Sequence, residues 1–194
     1  MKPNHILIIY GHPVKDAFSE NLLKIYSDGV AARGAETRTI KLQELDFDLN
    51  LSGGYREGTE MESDLKGTQA DILWADHIVF IFPNWWATFP ALVKGFIDRT
   101  FLPGFAFKYN KGSKGWVKLL KGKSARIIIT MDDTVWRYKF IYGSPGLNAI
   151  KRGLLQYCGI KPVRSTLIGP IKHSSEKQRQ VWLKKVNRLG EKLI

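Results

Sequence analysis

Cysteine is almost missing from this chain of 194 residues. Cys158 is the only one, which excludes an internal disulfide and any cysteine-built metal centre. The four histidines, His5, His12, His77 and His173, are scattered without an i, i+4 pair, so no zinc site is expected. Long apolar runs are lacking too. The least charged stretch, Ile78 to Val93, is broken by Pro83, Asn84, Thr88 and Pro90, and falls short of the roughly 18 apolar residues of a membrane span. No basic start, apolar core and small-residue cleavage site precedes the first apolar segment. The expectation is a cytoplasmic protein with no integral membrane association. Acidic residues are the last shortage: 18 Asp and Glu face 30 Lys and Arg, a net +12. Such a surface draws polyanions (nucleic acid, anionic lipid or phosphorylated small molecules) or simply keeps the protein soluble. The cations are spread over every segment and no nucleic-acid motif accompanies them, so nucleic acid is not expected as a partner.

What is present is a mixed α/β pattern long enough for a single domain over residues 1–194. Ile6-Leu7-Ile8-Ile9-Tyr10 is a continuous apolar run stopped by Gly11, the pattern of a parallel strand buried on both faces. A helix follows over Glu20 to Ala32, with Ser19 as its N-cap and Gly34 as its stop. Glu36 to Ile40 reads as an edge strand, and residues 43–60 as a long connection with Gly53, Gly54 and Gly58. A second helix ends near Trp74. His77 to Phe82 is the next buried strand, and Pro90 to Thr100 a helix. Residues 102–115 read as a loop, Ala125 to Thr130 as a fourth strand and 131–144 as another loop. Pro145 to Gln156 is a helix, Val163 to Ile168 a fifth strand, and Ser174 or Ser175 caps a last helix reaching Leu193. Parallel strands need helical crossovers. The predicted fold is therefore a flavodoxin-type three-layer α/β sandwich with a five-stranded parallel sheet in the order 2-1-3-4-5.

Ligands of such sheets bind beyond the carboxyl ends of the strands at the switch point. That selects three loops. The first, Gly11 to Asn21, runs into a helix N-terminus, where free amides and the helix dipole favour an anion. His12, Ser19 and Asn21 add donors there, so the loop reads either as a phosphate cradle or as a plain helix entry. The second, Pro83-Asn84-Trp85-Trp86-Ala87-Thr88-Phe89-Pro90, puts paired indoles beyond a buried strand, suited to a planar heteroaromatic ligand or to the core. The third begins Thr130-Met131-Asp132-Asp133 and borders the same place; its two aspartates also suit an ordinary turn. No P-loop Gly-Lys-Ser/Thr, Gly-x-Ser-x-Gly or Gly-x-Gly-x-x-Gly occurs in the corresponding positions.

Three segments carry a resemblance over nearly the whole chain. Gly11-His12-Pro13 with Phe18-Ser19, Phe82-Pro83-Asn84-Trp85-Trp86 with Pro90 through Arg99, and Tyr157-Cys158-Gly159 are similar to the NAD(P)H:quinone oxidoreductases. The resemblance implies a homodimer with one flavin per subunit, FAD or alternatively FMN, the His12-to-Phe18 loop leaning toward FAD. His12, Phe18, Ser19 and Asn21 would hold its phosphates and ribityl chain. Pro83, Asn84, Trp85 and Trp86 would line the ring system, and Thr130, Met131 and Asp132 would flank its pyrimidine end. Tyr138 and Tyr142 are the candidate catalytic hydroxyls. NAD(P)H would deliver a hydride, and a quinone-like electrophile would then take it in a ping-pong cycle. Arg137, Lys139, Lys151 and Arg152, with the net charge, favour NADPH. Met131-Asp132-Asp133 stands where many members carry glycines. The alternative is a regulatory flavoprotein docking on a glutathione-gated potassium-efflux transporter.

Overall fold

The computed structural model describes residues 4–55, 60–110, 112 and 114–193, so Gly58 of the long connection lies outside the described residues. In chain order the elements are β1 (His5–Tyr10), α1 (Phe18–Ala31), β2 (Glu36–Lys41), a 3-10 turn (Leu42–Glu44), α2 (Ser63–Trp74), β3 (His77–Pro83), α3 (Ala91–Thr100), β4 (Phe107–Tyr109), β5 (Trp116–Lys118), β6 (Ser124–Thr130), α4 (Val135–Phe140), α5 (Pro145–Asn148), a π-helix (Ala149–Gln156), β7 (Val163–Ile168) and α6 (Glu176–Glu191). The main sheet is parallel throughout, in the order β2-β1-β3-β6-β7. With the small antiparallel pair β4–β5 set aside, this is the predicted order 2-1-3-4-5.

The sheet is buried on both faces because its central strands are apolar at every position. Leu7, Ile9, Phe80, Phe82, Ile127 and Ile129 pack on one face, under α2, α3 and the π-helix. Ile6, Ile8, Tyr10, Val79, Ile81 and Ile128 pack on the other, under α1 and α6. The period of two along each strand sends alternate side chains to opposite layers. Those two helices approach closely, since Gly29 lies against the Asn187 carbonyl and Gly190 against that of Tyr26, where a Cβ would not fit.

The structure corrects four local expectations. The segment 131–144 is not all loop: it holds α4, whose N-cap Thr134 accepts the Arg137 N–H at 3.3 Å. A helix of six residues is too short to show an apolar period. The 102–115 loop contains β4, paired with β5 in a hairpin whose three-residue strands carry no alternation to detect. Ser19 does not cap α1. Ala17 occupies the cap position without a side-chain bond, and Ser19, the second residue of the helix, pairs its hydroxyl with that of Tyr10 at 2.9 Å. The helix expected from Pro145 to Gln156 is α-helical only to Asn148 and widens to a π-helix beyond. At the last helix Ser175, rather than Ser174, is the cap, accepting from the Gln178 N–H. Among the described residues no helix is long and apolar enough to cross a membrane.

Arg99 ties the long connection to the core. Its guanidinium, with only 6% of the side chain exposed, donates to Glu62 at 2.6 Å and to the carbonyls of Asn50 and Glu60. Replacement by methionine keeps much of the volume but strands the Glu62 carboxylate and two carbonyls. Arg99→Met is expected to cost about 2–3 kcal/mol, below the range of a fully buried pair because Glu62 stays partly exposed. A urea titration measures it, and an unchanged midpoint would refute the tie.

Candidate functional site

The carboxyl ends of β1, β3 and β6, with the turn after β7, border one cleft of about 270 Å³. Its walls are His12, Ala17, Phe18, Ser19, Pro83, Asn84, Trp85, Thr130, Met131, Asp132 and Ile171. The switch-point rule and the three loops thus meet at one place.

The floor is the N-terminus of α1. The Ala17 carbonyl takes the Glu20 N–H at 2.8 Å, but the amides of Phe18 and Ser19 have no acceptor within the helix and Ala17 carries no side-chain oxygen to cap them. The cap position is thereby left open to an external anion. Glu20 would oppose that anion from the first turn, but the Lys41 ammonium pairs with it at 2.6 Å and lowers its pKa. His12 stands at the rim. Burial lowers its pKa, so the ring is neutral near pH 7. Its Nδ1 lies 3.1 Å from both the N–H and the carbonyl of Val14, which leaves Nε2 as the ring nitrogen for a ligand. The Gln43 amide nitrogen, turned to face the carbonyls of His12 and Pro13, holds this loop from the 3-10 turn.

The second wall is a strained turn. Trp86 and Ala87 both adopt left-handed backbone angles, with φ of 52° and 61°, and the Thr88 N–H closes the turn onto the Trp85 carbonyl at 2.9 Å. Two successive non-glycine residues in that region cost a few kcal/mol unless the surroundings impose it. Here α5 imposes it: the Gly146 N–H donates to the Ala87 carbonyl at 3.2 Å, and the Gly146 Cα sits against the Thr88 backbone. The turn aims Trp85 into the cleft and Trp86 into solvent, where it is 99% exposed. Asn84 does not offer its backbone amide, which donates to the Thr130 carbonyl at 2.7 Å. It offers its side chain instead: Oδ1 is buried with no hydrogen-bond partner among the described residues.

The third wall is fixed by its acidic side chains. Asp132 accepts the Lys172 N–H at 3.0 Å, and Asp133 accepts the Thr134 N–H at 2.6 Å while facing Arg137. The Ile171 N–H donates to the Met131 carbonyl at 2.9 Å. Carboxylates and backbone bonds therefore hold a loop that glycines would otherwise let turn freely.

Of the remaining sequence candidates, Asn21 is exposed on α1 and Trp86 points away, so neither lines the cleft. Tyr138 is 1% exposed, and its hydroxyl accepts the Leu147 N–H at 2.9 Å; it holds α4 to α5 and does not face the cleft. Tyr142 lies half-exposed just beyond α4, also outside the cleft wall. Sequence reasoning missed Ala17 and Ile171. Ala17 carries no functional group to notice, and Ile171 arrives from a turn after β7 that no motif marks. The net charge is not gathered here either, since none of the lining residues is Lys or Arg. The nearest cation from α6 is Arg179, which lies over the Phe18 ring at 5.4 Å and donates from Nε to the Ser174 hydroxyl.

A sequence profile of the flavodoxin-like fold matches residues 4–193. An NAD(P)H oxidoreductase from Haemophilus influenzae is 32% identical over 192 residues, 93% of this chain and 90% of its own. The chain belongs to the flavodoxin-like NAD(P)H:quinone oxidoreductase family. It is similar to the mouse ribosyldihydronicotinamide dehydrogenase (quinone), at 26% identity over 94% of this chain and 89% of that enzyme. A solved Streptococcus mutans protein matches with a TM-score of 0.78 at 30% identity, covering 96% of this chain and 98% of the other. The fold is shared with a Bacillus anthracis FMN-dependent NADH-azoreductase solved with FMN, at a TM-score of 0.74 and 20% identity over 98% and 99% of the two chains. Like its relatives, the chain is an oxidoreductase.

This member of the quinone oxidoreductase family has a second, more apolar cleft. It measures about 380 Å³ and is walled by Phe89, Phe101, Phe107, Tyr109, Leu154 and Tyr157. Trp116 stacks on Tyr157 at 4.3 Å and bonds its carbonyl, so the β4–β5 hairpin forms part of that wall's support.

Proposed function

We propose that the chain is a flavin-dependent NAD(P)H oxidoreductase that delivers two electrons to a quinone or similar planar electrophile. The observation that carries this reading is the donor set of the cleft. Uncapped amides at the α1 N-terminus suit a phosphate. The orphan acceptor Asn84 Oδ1 suits an imide N–H, and the Trp85 indole suits the face of a flat heterocycle. These are the three parts of a flavin nucleotide: phosphate, pyrimidine edge and ring plane. A bound flavin supplies the two-electron carrier between NAD(P)H and acceptor, in a ping-pong cycle.

The protein's own residues bind and orient. The α1 amides and the neutral His12 ring anchor the phosphate end without a full cation, so charge is not concentrated away from the reacting ring. Asn84 and the loop Thr130–Asp132 fix the opposite edge, and Trp85 excludes water from one face. Arg179 beside Phe18 places a guanidinium near the cradle, where a second phosphate would reach it, which favours FAD over FMN. The NADPH preference rests on the exposed Arg137 and Lys139 of α4. The aromatic second cleft supports a planar acceptor. Exposed Trp86, Phe140 and Ile141 form apolar surface that a second copy would cover, which supports a homodimer. The similar proteins bear the names of an oxidoreductase and a dehydrogenase, which supports turnover over a transporter-docking role.

The test is spectroscopic. The purified protein is expected to be yellow, or to become so with FAD, and to bleach on anaerobic addition of NADPH. Re-oxidation by a short-chain quinone is expected to restore the colour. Light scattering is expected to give twice the chain mass of 22.1 kDa. A protein that takes up neither FAD nor FMN would sink the proposal, and one that bleaches but is not re-oxidised by any quinone would sink its acceptor.

A further inference from the structure

The excess of positive charge has no outlet in the cofactor cleft, whose walls carry no lysine or arginine. The structure gathers part of it on α6. One side of this helix is committed to the core: Trp182, Leu183, Val186 and Gly190 pack toward α1. The opposite side carries Lys177, Val181, Lys184, Lys185, Arg188 and, at the C-cap, Lys192, all six exposed. At 3.6 residues per turn these positions fall within a sector of about 100° and run for about 22 Å along the axis. Five of the six are cations, and none of the five belongs to an ion pair among the described residues. Glu176, engaged by Gln180, lies off this stripe, and Glu191 is the one acid of the helix that borders it, in a groove with Lys184 and Arg188. Val181, 58% exposed in the middle of the stripe, and Leu189 at its edge line a shallow trough with the basic stems.

A merely solvated helix face mixes signs, because opposite charges at i, i+4 stabilise it and like charges at that spacing repel. Here Lys177, Lys184, Lys185, Arg188 and Lys192 repel one another along the whole length. The composition of the stripe also says what would relieve that repulsion. Four of the five cations are lysines, point charges without the planar fork that reads a fixed phosphate or carboxylate geometry. The stripe has no aromatic ring to stack on bases, and the amides that border it are engaged, Gln180 donating to Glu176 and Asn187 to the Ile25 carbonyl. A fluid anionic surface needs none of these, since its headgroups can gather under the charges where they stand. Lysine stems and Val181 suit the headgroup boundary, with the ammonium groups reaching the phosphates.

We propose that the outer face of α6 is a peripheral docking surface for an anionic lipid bilayer. Contact is electrostatic and reversible, because the apolar side of the helix is spent on the core and little beyond Val181 and the edge of Leu189 is offered to the acyl boundary. The attraction fades as salt shortens the Debye length below the depth of the headgroup layer.

The full chain as purified is to be co-sedimented with vesicles of phosphatidylcholine alone and of equal parts phosphatidylcholine and phosphatidylglycerol. Binding is expected to the second and not to the first, and to be lost at high salt. Each cation removed near such a surface weakens binding about fivefold, so K184Q/K185Q/R188Q should weaken it about a hundredfold. The charge-conserving K184R/K185R should bind like the parent. K66Q/K108Q/K161Q removes three exposed cations scattered over other elements and should bind within a few-fold of the parent. All substituted positions are exposed, and melting curves check that each variant folds. Equal binding to both vesicles, or to neither, overturns the proposal. So does an equal loss in the stripe and scattered variants, which would assign the effect to net charge. Tighter binding to duplex DNA than to the anionic vesicles at matched salt overturns it in favour of a nucleic acid.

Discussion

Replacing Gly169 by valine is expected to leave the fold standing and to lower turnover about a hundredfold, with loss of flavin during purification. Gly169 follows the last residue of β7 and lies directly behind the third wall of the cleft. A Cβ there would stand 2.6 Å from the Met131 Cγ and 2.8 Å from the carbonyl oxygens of both Met131 and Asp133. The Met131 side chain can rotate, but the two carbonyls cannot both retreat. One is held by the Ile171 N–H, and the chain between them is pinned by Asp132 on the Lys172 N–H. The loop must therefore move as a unit, carrying Met131 and Asp132 toward the cleft that they line. A displacement near 1 Å suffices to misplace a reacting group at that cost. Overpacking of this kind also lowers stability, by about 1–3 kcal/mol. Gly67→Val on the exposed face of α2 is the control, because a Cβ at Gly67 meets nothing within 4 Å and Gly67 lines neither cleft. Flavin content after gel filtration and kcat with NADPH measure both variants. A Gly169→Val protein with full flavin and full turnover would show that the 131–133 loop does not shape the binding wall.

The same loop shows what the sequence made legible and what it hid. β1, β3 and β6 were readable because continuous apolar runs such as Ile6 to Tyr10 admit little besides a strand buried on both faces. Their alternation with helices set the topology, and topology placed His12, Phe18, Ser19, Asn84, Trp85 and Thr130 on one cleft. Roles were harder than positions. Ser19 carries the residue type of a cap, yet the cap position falls two residues earlier, at Ala17, and its hydroxyl goes to Tyr10. Tyr138 has the hydroxyl of a catalytic residue, but α4 is too short to betray a buried side, so nothing in the sequence said that this hydroxyl faces Leu147. Asp132 and Asp133 read as turn residues or ligand contacts. Their partners, Lys172 and Thr134, include a backbone amide forty positions away, which only the folded chain supplies. The distribution of charge was equally hidden: a net value of +12 is silent on whether cations line a cleft or a helix face.

Acid is expected to destabilise the protein well before its carboxylates titrate, and His77 is the reason. It opens β3 at 1% exposure, with Nδ1 against the Ser124 hydroxyl at 2.7 Å and Nε2 buried without a partner among the described residues. Burial, reinforced by the nearby guanidinium groups of Arg126 and Arg164, pushes its pKa from 6.5 down to about 3. A neutral ring is thus built into the sheet. In the unfolded chain the same ring protonates near 6.5, so the unfolded state takes up the proton first. Stability is complete above 6.5, falls as the pH drops toward 3, and loses nothing more from this group below that. Each pH unit within the window costs about 1.4 kcal/mol, so the loss is of order 2–3 kcal/mol two units below the start. Glu62 and Asp76 also have lowered pKa values, but from ordinary values of 4.5 and 3.8, so their loss begins lower. His12 shifts in the same direction as His77 through burial and adds to the same window. Comparison with His77→Gln separates them. Urea midpoints taken between 6.5 and 4.5 should fall steeply for the parent and by a smaller amount for His77→Gln, which retains only the His12 part. Parallel curves would mean that His77 is protonated in the folded sheet. A cation would then sit beside Arg126 and Arg164, against the charge order that this end of the sheet displays.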